Sequence, residues 1–225
     1  MRKTIILLAC TVCFITSGAQ NRASLGAAFA TGMKLAPGDN LNWFPVFELG
    51  LYTRVDPAQE NGLGFTGKLN LVYDPIRYSI NSYKGFTIYQ YNLGFEGQIS
   101  FPTRYEHLKI LAGIGLEYLF EPGLSYGISS GTSTVTRFDM DLDSNMKVIN
   151  EYRRKIMPSV SAGIVYQPLR NKRFSTCLVL KRQLLQLFTE DIPMAFYLDQ
   201  SNAGTVSINY RPTYLKLAVH YDLWQ

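Results

Sequence analysis

The sequence predicts an all-β protein: an up-and-down antiparallel transmembrane β-barrel of eight strands, with ten as the alternative count, following an N-terminal signal peptide. Three observations lead there. Apolar and polar residues alternate with period two in eight separate runs of the chain. The charges within those runs fall on one phase. Short and long connections alternate through the C-terminal half.

Composition agrees with this and excludes several classes. Charged residues are 17% and hydrophobic residues 47%, which excludes a disordered chain. The 15 Tyr, 13 Phe and 18 Gly suit many short strands rather than a helical bundle. Three Cys are too few for a disulfide scaffold, and two His with no CxxC pair argue against a zinc module.

The N-terminal segment comes first. Arg2 and Lys3 precede an apolar run from Ile5 to Ile15, and Ser17, Gly18 and Ala19 supply small residues where a signal peptidase cuts. The reading is a signal peptide over residues 1–19 and a barrel domain over residues 20–225. The run is shorter than the roughly 20 apolar residues of a spanning helix. A lipidated Cys10 would leave only Ile5–Ala9 as an apolar stretch, too short to engage the export machinery well. Cleavage takes two of the 22 basic side chains and none of the 17 acidic ones, so the basic balance points to no nucleic-acid partner. It also leaves Cys177 as the lone thiol, read as a small buried residue.

Each strand then follows from its alternation. Leu25, Ala27, Phe29 and Thr31 form one apolar phase, and Phe47, Leu49 and Leu51 a second. Leu63, Phe65, Leu69, Leu71 and Tyr73 form a third, and Tyr89, Tyr91, Leu93, Phe95, Ile99 and Phe101 a fourth. Leu108, Ile110, Ala112, Ile114, Leu116, Tyr118 and Phe120 make the fifth, and Ile156, Val160, Ala162, Ile164 and Tyr166 the sixth. Phe174, Leu178 and Leu180 mark the seventh, and Leu215, Leu217, Val219, Tyr221 and Leu223 the eighth. Glu48, Lys68, Glu96, Lys109, Glu117, Lys155, Arg173, Lys181, Lys216 and Asp222 all fall on the opposite phase, and no charge is expected on the apolar one. Phe44 and Val46 sit on the polar phase, and Leu184, Leu185, Leu187 and Phe188 break the alternation. Val206, Ile208 and Tyr210 are out of phase with Leu215, which suggests a bulge near Arg211-Pro212.

Alternation alone fits a soluble barrel as well as a membrane one. The polar phase decides between them. It is rich in Gly, Ser, Asn and Gln, as a narrow interior requires, whereas a wet exterior would carry more Lys and Glu. Aromatics such as Tyr73, Tyr118, Phe120, Tyr166 and Tyr221 stand near the ends of the apolar phase, as interfacial girdles do. Turns at Pro102–His107 and Pro168–Lys172 are short, while Glu121–Arg154 and Thr189–Pro212 are long. That order places the N-terminus in the periplasm. The connections near Lys34–Asn40 and Thr53–Gly62 show no such contrast.

The Tyr- and Gly-rich strands and the C-terminal run Thr213–Gln225 resemble the small outer-membrane barrels of Bacteroidota, of the PorT type and OmpA-like kind. The C-terminal run looks like the signal read by the outer-membrane insertion machinery. The resemblance implies an outer-membrane location, lipid and lipopolysaccharide as surroundings, and, for a PorT-like protein, an accessory role in a secretion apparatus. Function does not travel with such a fold.

The candidate chemistry is a lumen polar network: Glu48, Lys68, Glu96, Lys109, Glu117, Lys181, His220 and Asp222. Neighbouring strands suggest the pairs Glu48–Lys68 and Glu96–Lys109, because burying unpaired charge costs several kcal/mol each. An eight-stranded barrel is filled by its side chains, so a structural plug is expected rather than a channel. His220 and Asp222 share a face, and closure of the barrel brings Ser24 near them. The resemblance to small outer-membrane barrels, some of which modify lipid A with His, Ser and an acid, implies a lipid A-modifying enzyme as an alternative to the non-enzymatic barrel that is the expectation. Asp139, Asp141 and Asp143 alternate like the start of a calcium loop but lack its Gly and distal Glu, so neither a metal nor any other cofactor is assigned. Thr134–Leu142 and Lys147–Ile156 read as a hairpin above the membrane, with Arg153, Arg154 and Lys155 where it re-enters the headgroups. The expected role is structural or interaction-based, through the long connections Glu121–Arg154 and Thr189–Pro212 to a surface or secretion partner.

Overall fold

The computed structural model describes residues 22–35, 41–42, 45–56, 62–81, 84–128, 138–139, 142–168, 173–190, 192–198, 201–208 and 211–224. The signal-peptide segment, Phe44, Asp141 and Tyr210 lie outside the described residues.

Eight antiparallel strands close into a barrel: β1 (Arg22–Lys34), β3 (Val46–Asp56), β4 (Gly64–Tyr73), β7 (Tyr91–Pro102), β8 (Leu108–Leu119), β11 (Ile156–Tyr166), β12 (Phe174–Gln183) and β15 (Thr213–Trp224). They coincide with the eight alternating runs. The closing seam pairs β1 with β15, Phe29 facing Val219 and Ala30 facing Ala218. Side chains obey the period-two rule: in β3, Val46, Glu48 and Tyr52 are buried and Phe47, Leu49 and Leu51 are exposed.

The exposed phase is the apolar one. Leu49 is 64% exposed, Ile114 72% and Leu217 53%, and large hydrophobics face outward on every barrel strand. A water-soluble surface rarely tolerates a continuous apolar patch beyond a few hundred Å². A belt around a whole barrel, with Glu and Lys turned inward, is satisfied only by hydrocarbon, which is the architecture of an outer-membrane barrel. Among the described residues no helix is long and apolar enough to cross a membrane.

The remaining strands gather at one end. β2 (Leu41–Asn42), β5 (Ile76–Asn81), β6 (Lys84–Tyr89) and β9 (Gly123–Ile128) form a four-stranded sheet in the order β2-β5-β6-β9. That order repeats β3-β4-β7-β8, so this half of the wall is prolonged past the breaks at Asp74-Pro75, Gln90 and Phe120–Pro122. β10 (Phe138–Asp139), β13 (Ile192–Leu198) and β14 (Ser201–Ile208) form a second sheet, ordered β10-β13-β14. The extra strands behind the ten-strand alternative therefore belong to these sheets, and the barrel closes with eight. β14 explains why Val206 and Ile208 are out of phase with Leu215: they are in a different sheet.

All the long connections leave from that one end, including residues 74–90, whose β5–β6 hairpin the sequence reading did not single out. The opposite end carries residues 62–63, 103–107 and 167–168 and both ends of the described chain.

One expected hairpin is corrected. Residues 142–152 form a helix, α1 (Leu142–Tyr152), and Phe138–Asp139 pairs with β13 instead of with residues 147–156. Asn145 and Ile149, four apart, are both buried, and an acid at Asp143 in the first turn suits the helix dipole. α1 is stitched to the barrel rim where the chain leaves β12. Thr189 N donates to Tyr152 O at 2.8 Å, Arg154 N donates to Leu187 O at 3.0 Å, and Arg153 bridges Phe188. Leu187 and Phe188, whose run broke the alternation, are buried there with Ile149.

The expectation that no charge lies on the apolar phase is corrected as well. Arg182, on β12 between buried Lys181 and buried Gln183, is exposed on the outer wall. Lys155 and Arg173 precede their strands and are exposed, not interior.

Candidate functional site in the barrel interior

The strand alternation places six ionisable side chains at mid-barrel, and they balance one for one: Lys68, Lys181 and Lys216 against Glu48, Glu96 and Glu117, all buried. Lys181 Nζ lies 2.7 Å from Glu117 Oε1 and 3.9 Å from Glu96 Oε2. Glu96 Oε1 also accepts from Ser161 Oγ at 2.6 Å and Gln98 Nε2 at 2.9 Å, and Glu117 Oε2 from Asn92 Nδ2 at 3.3 Å. Glu48 is paired with Lys216, whose ammonium also sits 4.8 Å from the Tyr214 ring centre. Fully desolvated carboxylates persist only with this density of donors around them.

Lys68 stands apart from that set. Its Nζ is 3.0 Å from His220 Nε2, and His220 Nδ1 is 3.5 Å from Cys177 Sγ. An ammonium at Lys68 can only donate; Nε2 would then accept and the ring proton would sit on Nδ1, toward the sulfur. The Tyr52 ring packs 5.0 Å from the imidazole.

Below, toward the short turns, Asp222 is the hub. It accepts from Ser24 Oγ at 3.2 Å, from the Tyr52 hydroxyl and from the Arg54 guanidinium. Arg54 Nε and Lys109 Nζ then each lie 2.9 Å from the Asp56 carboxylate. At the other end Lys34 Nζ lies 2.6 Å from Asp74 Oδ1, and the Tyr214 hydroxyl donates to Asp74 Oδ2 at 2.7 Å. Above that end Arg153, buried, donates to the Phe120 carbonyl, and burial pulls its guanidinium down to about 10.

The eight residues proposed as a lumen network all point inward, but with different partners. Glu48 pairs with Lys216 rather than Lys68, Glu96 with Lys181 rather than Lys109, and Lys109 with Asp56. Facing strands bring Lys68 opposite Glu96 in register, yet the ammonium reaches across the lumen. Cross-lumen reach is invisible to strand adjacency. Lys34, Arg54, Asp56, Asp74 and Lys216 complete the set and were not chosen from the sequence, although Lys216 carries the right phase. Ser24, His220 and Asp222 do not assemble as nucleophile, base and orienter: Ser24 donates to Asp222, while His220 faces Lys68 and Cys177.

The interior is closely filled. One cavity of about 30 Å³ lies among Arg54, Asp56, Gln98, Lys109 and His220, and another of about 10 Å³ beneath Leu187 and Pro212. Each holds a water or two at most. Asp141 lies outside the described residues; Asp139 falls in β10 and Asp143 in α1.

No protein-family model matches the sequence, and no curated protein sequence matches it. Among solved structures the chain is similar to Neisserial surface protein A, at 13% identity and TM-score 0.43 over 90% of this chain and 99% of that one. It is similar to OprG of Pseudomonas aeruginosa, at 10% and 0.42 over 92% and 97%. It is similar also to Ail, the attachment invasion locus protein of Yersinia pestis, at 10% and 0.39 over 88% and 96%. Such identities and superpositions are too low to carry residue roles onto this chain. Its own inside-out polarity, an apolar belt outside and ion pairs inside, places it with the eight-stranded barrels of the outer membrane.

Proposed function

We propose that this is a non-enzymatic outer-membrane barrel that works by interaction, through the connections gathered at one end. The observation that carries the reading is the contrast between interior and rim. The interior charges, Lys68 apart, are paired with one another, and the two cavities among them have room for little more than isolated waters. The rim at the long-connection end, by contrast, is elaborated into two further sheets and a helix. A rigid wall presenting elaborated connections is the usual arrangement of a recognition scaffold. In this reading Glu121–Arg154 and Thr189–Pro212 face outward to a surface or secretion partner, and Thr213–Trp224 is the strand read by the insertion machinery. Lipopolysaccharide surrounds the outer rim. A PorT-type accessory role in secretion is the finer form of the same proposal and rests on the Tyr- and Gly-rich strands and the C-terminal strand.

Epitope tags test the orientation on which this depends. A tag at Glu190, exposed at the long-connection end, is expected to bind antibody on intact cells. A tag at Tyr105, 63% exposed in a short turn, is expected to bind only after the outer membrane is opened. The reverse pattern would invert the topology, and recovery of the chain in the soluble periplasmic fraction would overturn the barrel assignment itself.

A further inference from the structure

We propose that Arg182 and Arg211 form a lipid-phosphate site on the outer wall of the barrel, at its long-connection rim, whose ligand is the phosphorylated headgroup of an outer-leaflet glycolipid of the lipid A class. The inference rests on the membrane orientation above and concerns the wall, not the connections.

Arg182 is the one charged residue on the outward phase of the eight described barrel strands; every other charge in them points inward or lies at a strand end. Its position is far from random. It is the penultimate residue of β12, with Phe174, Thr176, Leu178 and Leu180 below it on the same face. At a rise of roughly 3.3 Å per residue and a tilt of about 40°, it stands roughly 20 Å above Phe174, at the upper edge of an apolar belt about 25 Å tall. That is headgroup depth.

A second cation joins it. Arg182 is in register with Thr213 of β15, and Gln183 N donates to Pro212 O, extending the ladder one step beyond the strand. Arg211 is exposed, while Pro212 and Tyr214 are buried, so it shares the outward phase with Thr213 and Leu215. It is the diagonal neighbour of Arg182, a relation that sets the two positions about 7–8 Å apart, near enough for two guanidinium groups to grip one phosphate. Lys155, just before β11 on the other side of β12, is also exposed at this rim.

These cations are not there to pair with protein. Neither the Arg182 nor the Arg211 side chain has a hydrogen bond or ion pair among the described residues, and the outward positions of β11, β12 and β15 carry no acid. The rest of the rim differs: on β4, β7 and β8 it presents Tyr73, Tyr91, Tyr118 and Phe120. Two like charges held together at the edge of hydrocarbon need an anion, and at that depth the available anion is lipid phosphate. The leucines directly beneath, Leu180, Leu215 and Leu217, supply the surface for acyl chains, which a free anion would not use.

The test uses the full chain refolded in zwitterionic detergent, read by the temperature at which the compact band is lost on gels. Diphosphorylated lipid A is expected to raise that midpoint by roughly 5–10 °C at saturation, the size that ligand linkage gives a chain this long. Dephosphorylated lipid A and inorganic phosphate are expected to leave it unmoved. R182Q/R211Q should lose most of the rise, R182K/R211K should keep about half, and R104Q, at the opposite end, should keep all of it. An equal rise in R182Q/R211Q, or with dephosphorylated lipid, would overturn the site. An equal rise with inorganic phosphate would overturn the lipid assignment. The comparison among the three ligands needs only the unsubstituted chain, so it decides even where a variant fails to fold. Failure of the unsubstituted chain to give a compact, heat-modifiable band would instead overturn the membrane-barrel reading.

Discussion

Lys181 is the most exposing place to perturb the interior. Its ammonium sits between two buried carboxylates, 2.7 Å from Glu117 and 3.9 Å from Glu96. Met in its place keeps the volume and removes the charge. Glu96 would keep its bonds from Ser161 and Gln98, but Glu117 would keep only the longer 3.3 Å contact from Asn92 in addition to an uncompensated negative neighbour. Removing one partner of a buried pair costs about 3–5 kcal/mol. With a urea slope of about 2 kcal/mol per molar, the unfolding midpoint should fall by roughly 1.5–2.5 M. Removing the stranded charge as well, in Lys181→Met/Glu117→Gln, should return most of that loss, because a matched apolar and amide replacement leaves no bare ion. The coupling between the two sites should then be at least about 2 kcal/mol. Reversible urea titration in lipid vesicles, followed by tryptophan fluorescence, gives both numbers. Equal losses in the single and double variants would refute the pairing, and a loss under about 1 kcal/mol would mean that water reaches these groups.

Three other outcomes follow from the same geometry. Asp222→Asn should cost about 2–4 kcal/mol in the same titration, because it takes the charge from a hub shared by Ser24, Tyr52 and Arg54. A Cβ at Gly163 would run into the Leu178 backbone carbonyl, so Gly163→Ala should cost about 1–3 kcal/mol, whereas Gly97, with nothing within 4 Å, should accept Ala with no loss and a gain of up to about 1 kcal/mol. Arg153→Met should leave the barrel midpoint within about 1 kcal/mol but loosen α1, read as faster protease cleavage within Leu142–Tyr152.

The strands were legible because a membrane barrel writes its fold twice, once as period two and once as the segregation of charge. Leu49 and Leu51 against Glu48, or Leu215 and Leu217 against Lys216, fix both the strand and its face. What was illegible lies where neither signal operates. Lys147–Ile156 alternates well enough to pass for a strand, and only tertiary burial of Asn145 and Ile149 against the rim selects the helix. Ion-pair partners were misassigned because a side chain in a narrow lumen chooses among all eight walls. Lys216 and Glu48 are 168 residues apart and on strands that are not neighbours. Arg182 departs from the charge rule for a different reason: Leu178 and Leu180 set the phase of β12, and Arg182 takes the next outward position, where the apolar belt ends.

That last residue bears on how the two ends of the barrel divide their work. In a soluble domain the stabilising core is apolar and the surface is free to specialise. Here the outer surface is committed to lipid, and specificity of packing falls to charges that must find one another inside. The Lys34–Asp74–Tyr214 cluster, the Lys181–Glu117 and Lys216–Glu48 pairs and the Asp222 hub run from one end of the lumen to the other, and the two cavities found among the described residues are of about 30 and 10 Å³. The buried side-chain atoms left without a hydrogen bond there include Gln90 Nε2, Asn92 Oδ1, Ser159 Oγ, Ser175 Oγ and Gln183 Oε1, all on neutral groups enclosed by the wall. Any residue that is charged, unpaired and accessible must therefore stand at the rim or beyond it, which is where Lys155, Arg182 and Arg211 are found. The outer wall is thus divided by sector, aromatic over β4, β7 and β8 and basic over β12 and the entry to β15. The proposed lipid-phosphate site would therefore give the barrel a preferred face toward its lipid neighbours.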